Sequence, residues 1–264
     1  MKTNTAKQKL ERGEAALGTW LSMGNGPATR LLARSGFHWL TVDLEHTGIS
    51  WETAAWLFGA IADAGCVPLV RVPANRHDHI KRALDCGAFG VVVPMVNSRQ
   101  EALDAVAACR YPPVGNRSVG GNLHALNFNA AASDYYAGAN QQILVVLQCE
   151  HIDAVNRADE IFSVPGIDAI FVGPNDLAAS MRGPDNSPPS AQASAEAHAT
   201  ILAACQRHKV APGFHAMNAA EARHRVEQGW RFVAVASDLR FMTDGTAQAL
   251  STIGLSGGQE LARY

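Results

Sequence analysis

Lysine is scarce in this chain, and none of it stands where imine chemistry would need it. Lys2, Lys7, Lys9, Lys81 and Lys209 are the only five in 264 residues, and none ends an apolar, strand-like run. A Schiff-base mechanism needs an amine at the reaction centre, so that route is disfavoured. Cysteine is sparse and odd in number: Cys66, Cys86, Cys109, Cys149 and Cys205. Without a Cys-x-x-Cys pair there is no zinc ribbon or thioredoxin-like site, and scattered thiols point to a reducing, cytoplasmic setting. No long apolar run occurs. The segment from Met1 to Arg12 is polar and Lys-containing, which predicts neither a signal peptide nor a membrane span. Gly-x-Ser-x-Gly elbows, Walker loops and dinucleotide fingerprints are absent. The net charge is -2 with basic residues spread out, so no stripe exists for nucleic acid.

What the chain does have is apolar content, 47% of it, and a regular alternation. Short strands are predicted near Leu17–Ser22, Trp39–Asp43, Pro68–Val72, Gly90–Pro94, Ile143–Gln148, Ala169–Val172, Ala211–His215 and Phe232–Ala236. Helical patterning falls between them at Gly26–Ser35, Trp51–Ala64, His77–Cys86, Arg99–Cys109, Ile152–Ile161, Ser194–His208 and Ala219–Gln228. Eight strands with intervening helices favour an α/β fold, a single (β/α)8 TIM barrel. No composition shift marks a second domain, so residues 1–264 read as one domain. The barrel occupies about 13–250, with short polar extensions at both ends. Gly36, Gly87 and Gly229 each stand just before a strand, as helix C-caps do. Two stretches, Tyr111 to Gln142 and Arg182 to Ala193, read as long loops, and long loops in compact domains are often functional.

The chemistry gathers at strand ends. Glu150 follows one strand in Leu147-Gln148-Cys149-Glu150-His151, and Asp176 follows the next in Val172-Gly173-Pro174-Asn175-Asp176. One strand–helix unit apart on the same rim of a parallel barrel, the two carboxylates can share a divalent cation. Substrate oxygens and water would complete the shell, which suits Mg2+, Mn2+ or Co2+. Gln148 shares a face with Glu150. The segment Gly173-Pro174-Asn175-Asp176-Leu177 resembles a helix start, with free N–H groups at Asn175 and Asp176 suited to a carboxylate. His46, in Asp43-Leu44-Glu45-His46, titrates near neutrality and suits proton transfer. Arg71 ends the third strand, where it can neutralise an oxyanion or form a buried pair with Glu45 or Asp43. Trp20 ends the first and lines either pocket or core.

Taken in order, Asp43-x-Glu45-His46, Val70-Arg71, Val93-Pro94-Met95-Val96, Tyr111-Pro112-Pro113-x-Gly115-x-Arg117, Gln148-x-Glu150 and Gly173-Pro174-x-Asp176-Leu177 make the chain similar to the HpcH/HpaI aldolases. These are metal-dependent pyruvate aldolases, and the resemblance runs from about Gly18 to Ala249. It implies a lyase in which Glu150 and Asp176 bind the metal and the metal chelates pyruvate. Arg71 then stabilises the enolate oxygen, and His46, oriented by Asp85, acts as the base. Gln148 and the amides at Asn175 and Asp176 seat the donor. It also implies a homohexamer, a trimer of dimers, whose C-terminal helix is exchanged between subunits, with a small oxo acid and an aldehyde as partners. The chain departs from the family pattern at Leu44, where Gly is typical, and at Asn175, where Ala is usual. The loop Ser118–His124 does not clearly retain the arginine that meets a distal carboxylate. Acyl-CoA cleavage, oxaloacetate decarboxylation and a non-catalytic oxo-acid-binding barrel are the competing readings.

Overall fold

A computed structural model describes residues 1–255. Eight parallel strands pair in chain order and close on themselves: β1 (Ala16–Leu21), β2 (Trp39–Asp43), β3 (Val67–Arg71), β4 (Gly90–Val93), β5 (Leu144–Gln148), β6 (Ala169–Val172), β7 (Ala211–Ala216) and β8 (Phe232–Ser237). The expected (β/α)8 barrel is present, with strand bounds within a residue of the sequence reading.

Strand alternation explains what fills the barrel and what lines its mouth. On β2 the inward set is Trp39, Thr41 and Asp43; on β5 it is Leu144, Val146 and Gln148. The lower layers are apolar and interlocked. The Trp39 ring stacks on Phe232 with centroids 4.3 Å apart. It occupies the space beside Gly18, where an added Cβ would lie 2.1 Å from a ring carbon. The outward set packs beneath helices: Phe214 of β7 meets Trp230 at 5.3 Å. Where β1 joins β8 the register slips between Gly18 and Trp20, and Ala236 adopts a left-handed φ of 51°. This is a β-bulge at the barrel rim.

Most helices start on a side-chain cap. Ser50, Ser98, Ser190 and Asn218 each accept a hydrogen bond from the backbone N–H three residues on, satisfying a first-turn donor. At the other ends Gly36, Gly87 and Gly229 sit at φ 107°, 101° and 102°, as left-handed caps require.

Several expectations need correction. The N-terminal extension, read only as short and polar, holds a helix, Thr5–Glu11, whose cap and first turn bond the backbone at the N-terminal ends of the strands. Asn4, fully buried, donates to the carbonyls of Phe89 and Gln142 at 3.0 Å each. Lys7 reaches the Ile143 carbonyl and the Asp168 carboxylate. The stretch 111–142 holds two helices, His124–Asn127 and Ala132–Gln142. It is pinned by Arg117, which is fully buried, bonds Asp85 at 2.8 Å and lies over the Tyr111 ring. The helix expected over Ile152–Ile161 is two, Ile152–Asn156 and Ala158–Phe162, divided at Arg157. Asp238–Thr252 forms a further helix. Residues 256–264, the rest of the expected C-terminal extension, lie outside the described residues.

Candidate active site

The last inward side chain on six strands is Trp20, Asp43, Arg71, Gln148, Phe171 or His215, and all six line one cavity of about 200 Å³ at the C-terminal mouth of the barrel. Glu150, Gly173, Pro174, Asn175 and Asp176 complete its polar side. The structure therefore brings Trp20, Arg71, Gln148, Glu150, Asp176 and the Gly173–Asn175 turn together. His46 and Asp85 are not among the lining residues.

Glu150 is held from three sides. One carboxylate oxygen, Oε1, accepts the Met95 backbone N–H at 2.8 Å, and Oε2 accepts from Gln148 Nε2 at 2.6 Å. Met95 reaches it from a left-handed φ of 52°, a conformation that costs a non-glycine residue free energy and recurs at functional sites. The third side is Gly173, where an added Cβ would lie 2.5 Å from Oε2. Glu150 itself is 2% exposed. Burial, reinforced by the Glu45 and Asp176 carboxylates and opposed by the Met95 N–H, pushes its carboxyl up to about 7.

Asp176 lies in the first turn of the helix Pro174–Ser180. Proline suits the first helical position, and an acidic side chain in that turn is favoured by the helix dipole.

Arg71 is clamped rather than free. Its Nε donates to Asp43 Oδ1 at 2.9 Å and Nη2 to Oδ2 at 2.5 Å, while Nη1 stands 3.2 Å from Glu45 Oε2. Both pairings anticipated for it, with Asp43 and with Glu45, coexist. Burial opposes its charge, but Asp43 and then Glu45 outweigh that and hold the guanidinium's pKa above its ordinary value. Of five N–H donors, this leaves at least two for a ligand. Trp20 is both core and pocket: its ring stacks on Phe171 at 5.1 Å and carries the Arg71 guanidinium 5.8 Å from its centroid.

The pairing of His46 with Asp85 is not formed within this chain among the described residues. The His46 ring, 44% exposed, lies 3.6 Å from Glu45, and Asp85 is taken by Arg117 at 2.8 Å. Helix His77–Asp85 carries Asp85 toward the 111–142 segment.

The donor set fits a hard dication. Asp43 and Glu45 hold the Arg71 guanidinium, Glu150 and Asp176 share the cavity with it, and the Gln148 Oε1 oxygen is buried without a hydrogen-bond partner. Among the described residues no three His, Cys, Asp or Glu side chains gather into a closed metal cage. Two carboxylates with open positions are what an ion shared with a substrate requires.

Sequence reasoning gave no role to Met95 or His215. His215 is the last inward side chain of its strand, as Arg71 and Gln148 are of theirs, so the same strand-end argument finds it. The Met95 strain leaves no mark in composition or periodicity.

This fold and this rim of carboxylates define a class, and comparison with known proteins identifies it. The HpcH/HpaI aldolase/citrate lyase family description matches residues 16–244. A hydroxypyruvate/pyruvate aldolase from Paraburkholderia phytofirmans is 35% identical over 95% of this chain and 98% of its own length. A 5-keto-4-deoxy-D-glucarate aldolase from Escherichia coli is 36% identical over 94% of this chain and 96% of its own. Among solved structures, an HpcH/HpaI aldolase/citrate lyase family protein from Burkholderia cenocepacia superposes with a TM-score of 0.85 at 36% identity, covering 95% of this chain and 99% of that one. The chain belongs to the HpcH/HpaI aldolase/citrate lyase family. It is an enzyme, a carbon–carbon lyase.

Proposed function

We propose that the chain is a divalent-metal-dependent aldolase, reversibly cleaving 4-hydroxy-2-oxo acids into pyruvate or hydroxypyruvate and an aldehyde. The observation that carries this reading is the buried Glu150 carboxylate sharing one small cavity with Asp176 and the clamped Arg71. The names of the Paraburkholderia phytofirmans and Escherichia coli relatives favour the same chemistry.

Glu150 and Asp176 would hold the ion, Mg2+, Mn2+ or Co2+. When bound, it supplies Lewis-acid polarisation of the donor's 2-oxo group. In cleavage the C4 hydroxyl loses its proton, the C3–C4 bond breaks and the C4–O bond becomes the aldehyde carbonyl. The electron pair of the broken bond moves through C3 onto the 2-oxo oxygen, and a proton returned to C3 releases the oxo acid. Arg71 presents its remaining N–H groups to the oxygen where that charge collects, in a site too small to solvate it freely. Gln148 fixes Glu150, and Gly173, Pro174 and Asn175 border the donor's carboxylate. His46 takes and returns the proton. Asp85, engaged by Arg117 in its own subunit, would orient His46 from a neighbouring one.

That last role needs an oligomer. The reading includes a homohexamer in which the helix Asp238–Thr252 is exchanged between subunits. Supporting it, this helix packs on β1 and β8 and leaves Met242 53% and, just past its end, Ile253 68% exposed. No helix among the described residues is long and apolar enough to cross a membrane.

The test is pyruvate release from a 4-hydroxy-2-oxo acid by enzyme stripped with EDTA and then reloaded. Activity should vanish on stripping and return with Mg2+, Mn2+ or Co2+. Full turnover by metal-free enzyme would overturn the mechanism.

A further inference from the structure

The wall of the cavity farthest in character from its carboxylates is aromatic, and one group in it is out of place. Trp20 and Phe171 offer ring faces, stacked with their planes 11° apart. Between them and β8 stands His215, 5.2 Å from Trp20 and 6.2 Å from Phe171. It points inward because Phe214, its neighbour on β7, packs outward on Trp230. Gly213, the inward residue before it, leaves room for the Phe171 ring, which lies 3.0 Å from where a Cβ would be.

Burial first, then the nearby Arg71 charge, pushes the His215 imidazole down to about 4, so the ring is neutral near pH 7. A neutral imidazole has one N–H donor and one lone-pair acceptor. The Ala236 backbone is the hydrogen-bonding group that acts on the ring, and a carbonyl there takes the donor. The ring lines the cavity, so its other nitrogen can accept from a ligand bound there. A pocket meant only to cradle a methyl group would present carbon alone at that wall, whereas this one presents an imidazole beside the Trp20 and Phe171 rings.

We propose that His215 is a specificity-determining residue that accepts a hydrogen bond from a hydroxyl on C3 of the donor, so that the site prefers a 3-hydroxy-2-oxo acid, hydroxypyruvate, to pyruvate. This rests on the aldolase reading above. With the carboxylate and 2-oxo oxygens at the Glu150, Asp176 and Arg71 side, a three-carbon acid places C3 against the Trp20, Phe171 and His215 wall. A pyruvate methyl packs on the rings but leaves the nitrogen unpaired or wet. A hydroxymethyl group satisfies both surfaces, and sites built to bond a hydroxyl discriminate strongly against analogues that lack it.

The experiment compares wild type with His215→Leu and His215→Gln, each metal-loaded, as aldol catalysts with glycolaldehyde as acceptor. Donors are hydroxypyruvate, pyruvate and 3-fluoropyruvate, which has similar bulk but no O–H. Calorimetric donor binding without acceptor supplies a second readout. Expected for His215→Leu is a rise of at least tenfold in the hydroxypyruvate KM and dissociation constant, with those for pyruvate and 3-fluoropyruvate changed less than threefold. His215→Gln, which keeps an acceptor, recovers part of the loss. Equal losses for all three donors would mark His215 as structural, and 3-fluoropyruvate tracking hydroxypyruvate would make it a matter of volume; either overturns the proposal. If wild type processes none of the donors while binding metal, the aldolase reading falls and this inference falls with it. If wild type is active and the donor ratio survives His215→Leu, only this inference falls.

Discussion

Glycine at position 173 is the narrowest point in the site. Its missing side chain is what lets Glu150 sit under the turn into the helix Pro174–Ser180, because any Cβ there would overlap Oε2 at 2.5 Å. The contact is with a carboxylate fixed by Gln148 and by the Met95 backbone, so Glu150 cannot simply swing aside. Gly173→Ala should therefore tilt the carboxylate and weaken divalent-ion affinity by roughly 10–100-fold, the range seen when groups supporting a ligand are disturbed. Calorimetric Mn2+ titration, with circular dichroism to confirm the fold, measures this. Unchanged affinity would mean that Glu150 does not hold the ion. At this scale the sequence revealed chemistry better than partnership. Strand-end position was enough to place Glu150, Arg71, Gln148 and Trp20 on one cavity. It could not say that Arg71 is engaged by Asp43 and Glu45 at once, because both stand within two residues of the same strand end. Nor could it say that Asp85 turns to Arg117, which lies on a segment whose path depends on tertiary packing.

Among the elements, the N-terminal helix Thr5–Glu11 carries the least expected structural duty. Asn4 does three things: it caps that helix by accepting from the Lys7 N–H, and it donates to two carbonyls at the strand floor. Asn4→Ala removes the cap and leaves Phe89 and Gln142 carbonyls buried without those donors. A loss of about 2–3 kcal/mol follows from the cost of unpaired buried groups plus a lost N-cap, read by urea denaturation. A change below about 0.5 kcal/mol, the range of ordinary surface substitutions, would show that the helix is peripheral. This element was missed because only Ala6 and Leu10 are apolar on the face it buries, beside polar Lys7 and the cap Asn4, too short a stripe to announce a helix. The strands were legible for the opposite reason: short apolar runs between capping glycines admit few alternatives. Ala132–Gln142 was read as loop because its Ala, Gly and Asn content gives no strong period, and its order comes from Tyr135 packing against Phe128, His124 and Arg117.

For the molecule as a whole, the helix Asp238–Thr252 is the unfinished surface. Met242 and Ile253 stand well into solvent, whereas the ring of Phe241 at least meets Phe37 at 6.2 Å. If neighbouring subunits cover this face, Met242→Glu should break the assembly into smaller species by light scattering after gel filtration. Activity should fall with it by tenfold or more, since the proposed His46–Asp85 contact crosses subunits. An intact assembly with unaltered turnover would remove exchange of this helix from the account.

Because interlocked side chains such as Trp39 and Phe232 fill the barrel beneath the cavity, everything that enters must exit by the same door. On the proposed reading the oxo acid rests at the bottom of a blind well and the aldehyde nearer its opening, so departure is last in, first out. Product-inhibition kinetics should record that sequence, with the oxo acid competing against the substrate for empty enzyme and the aldehyde not doing so.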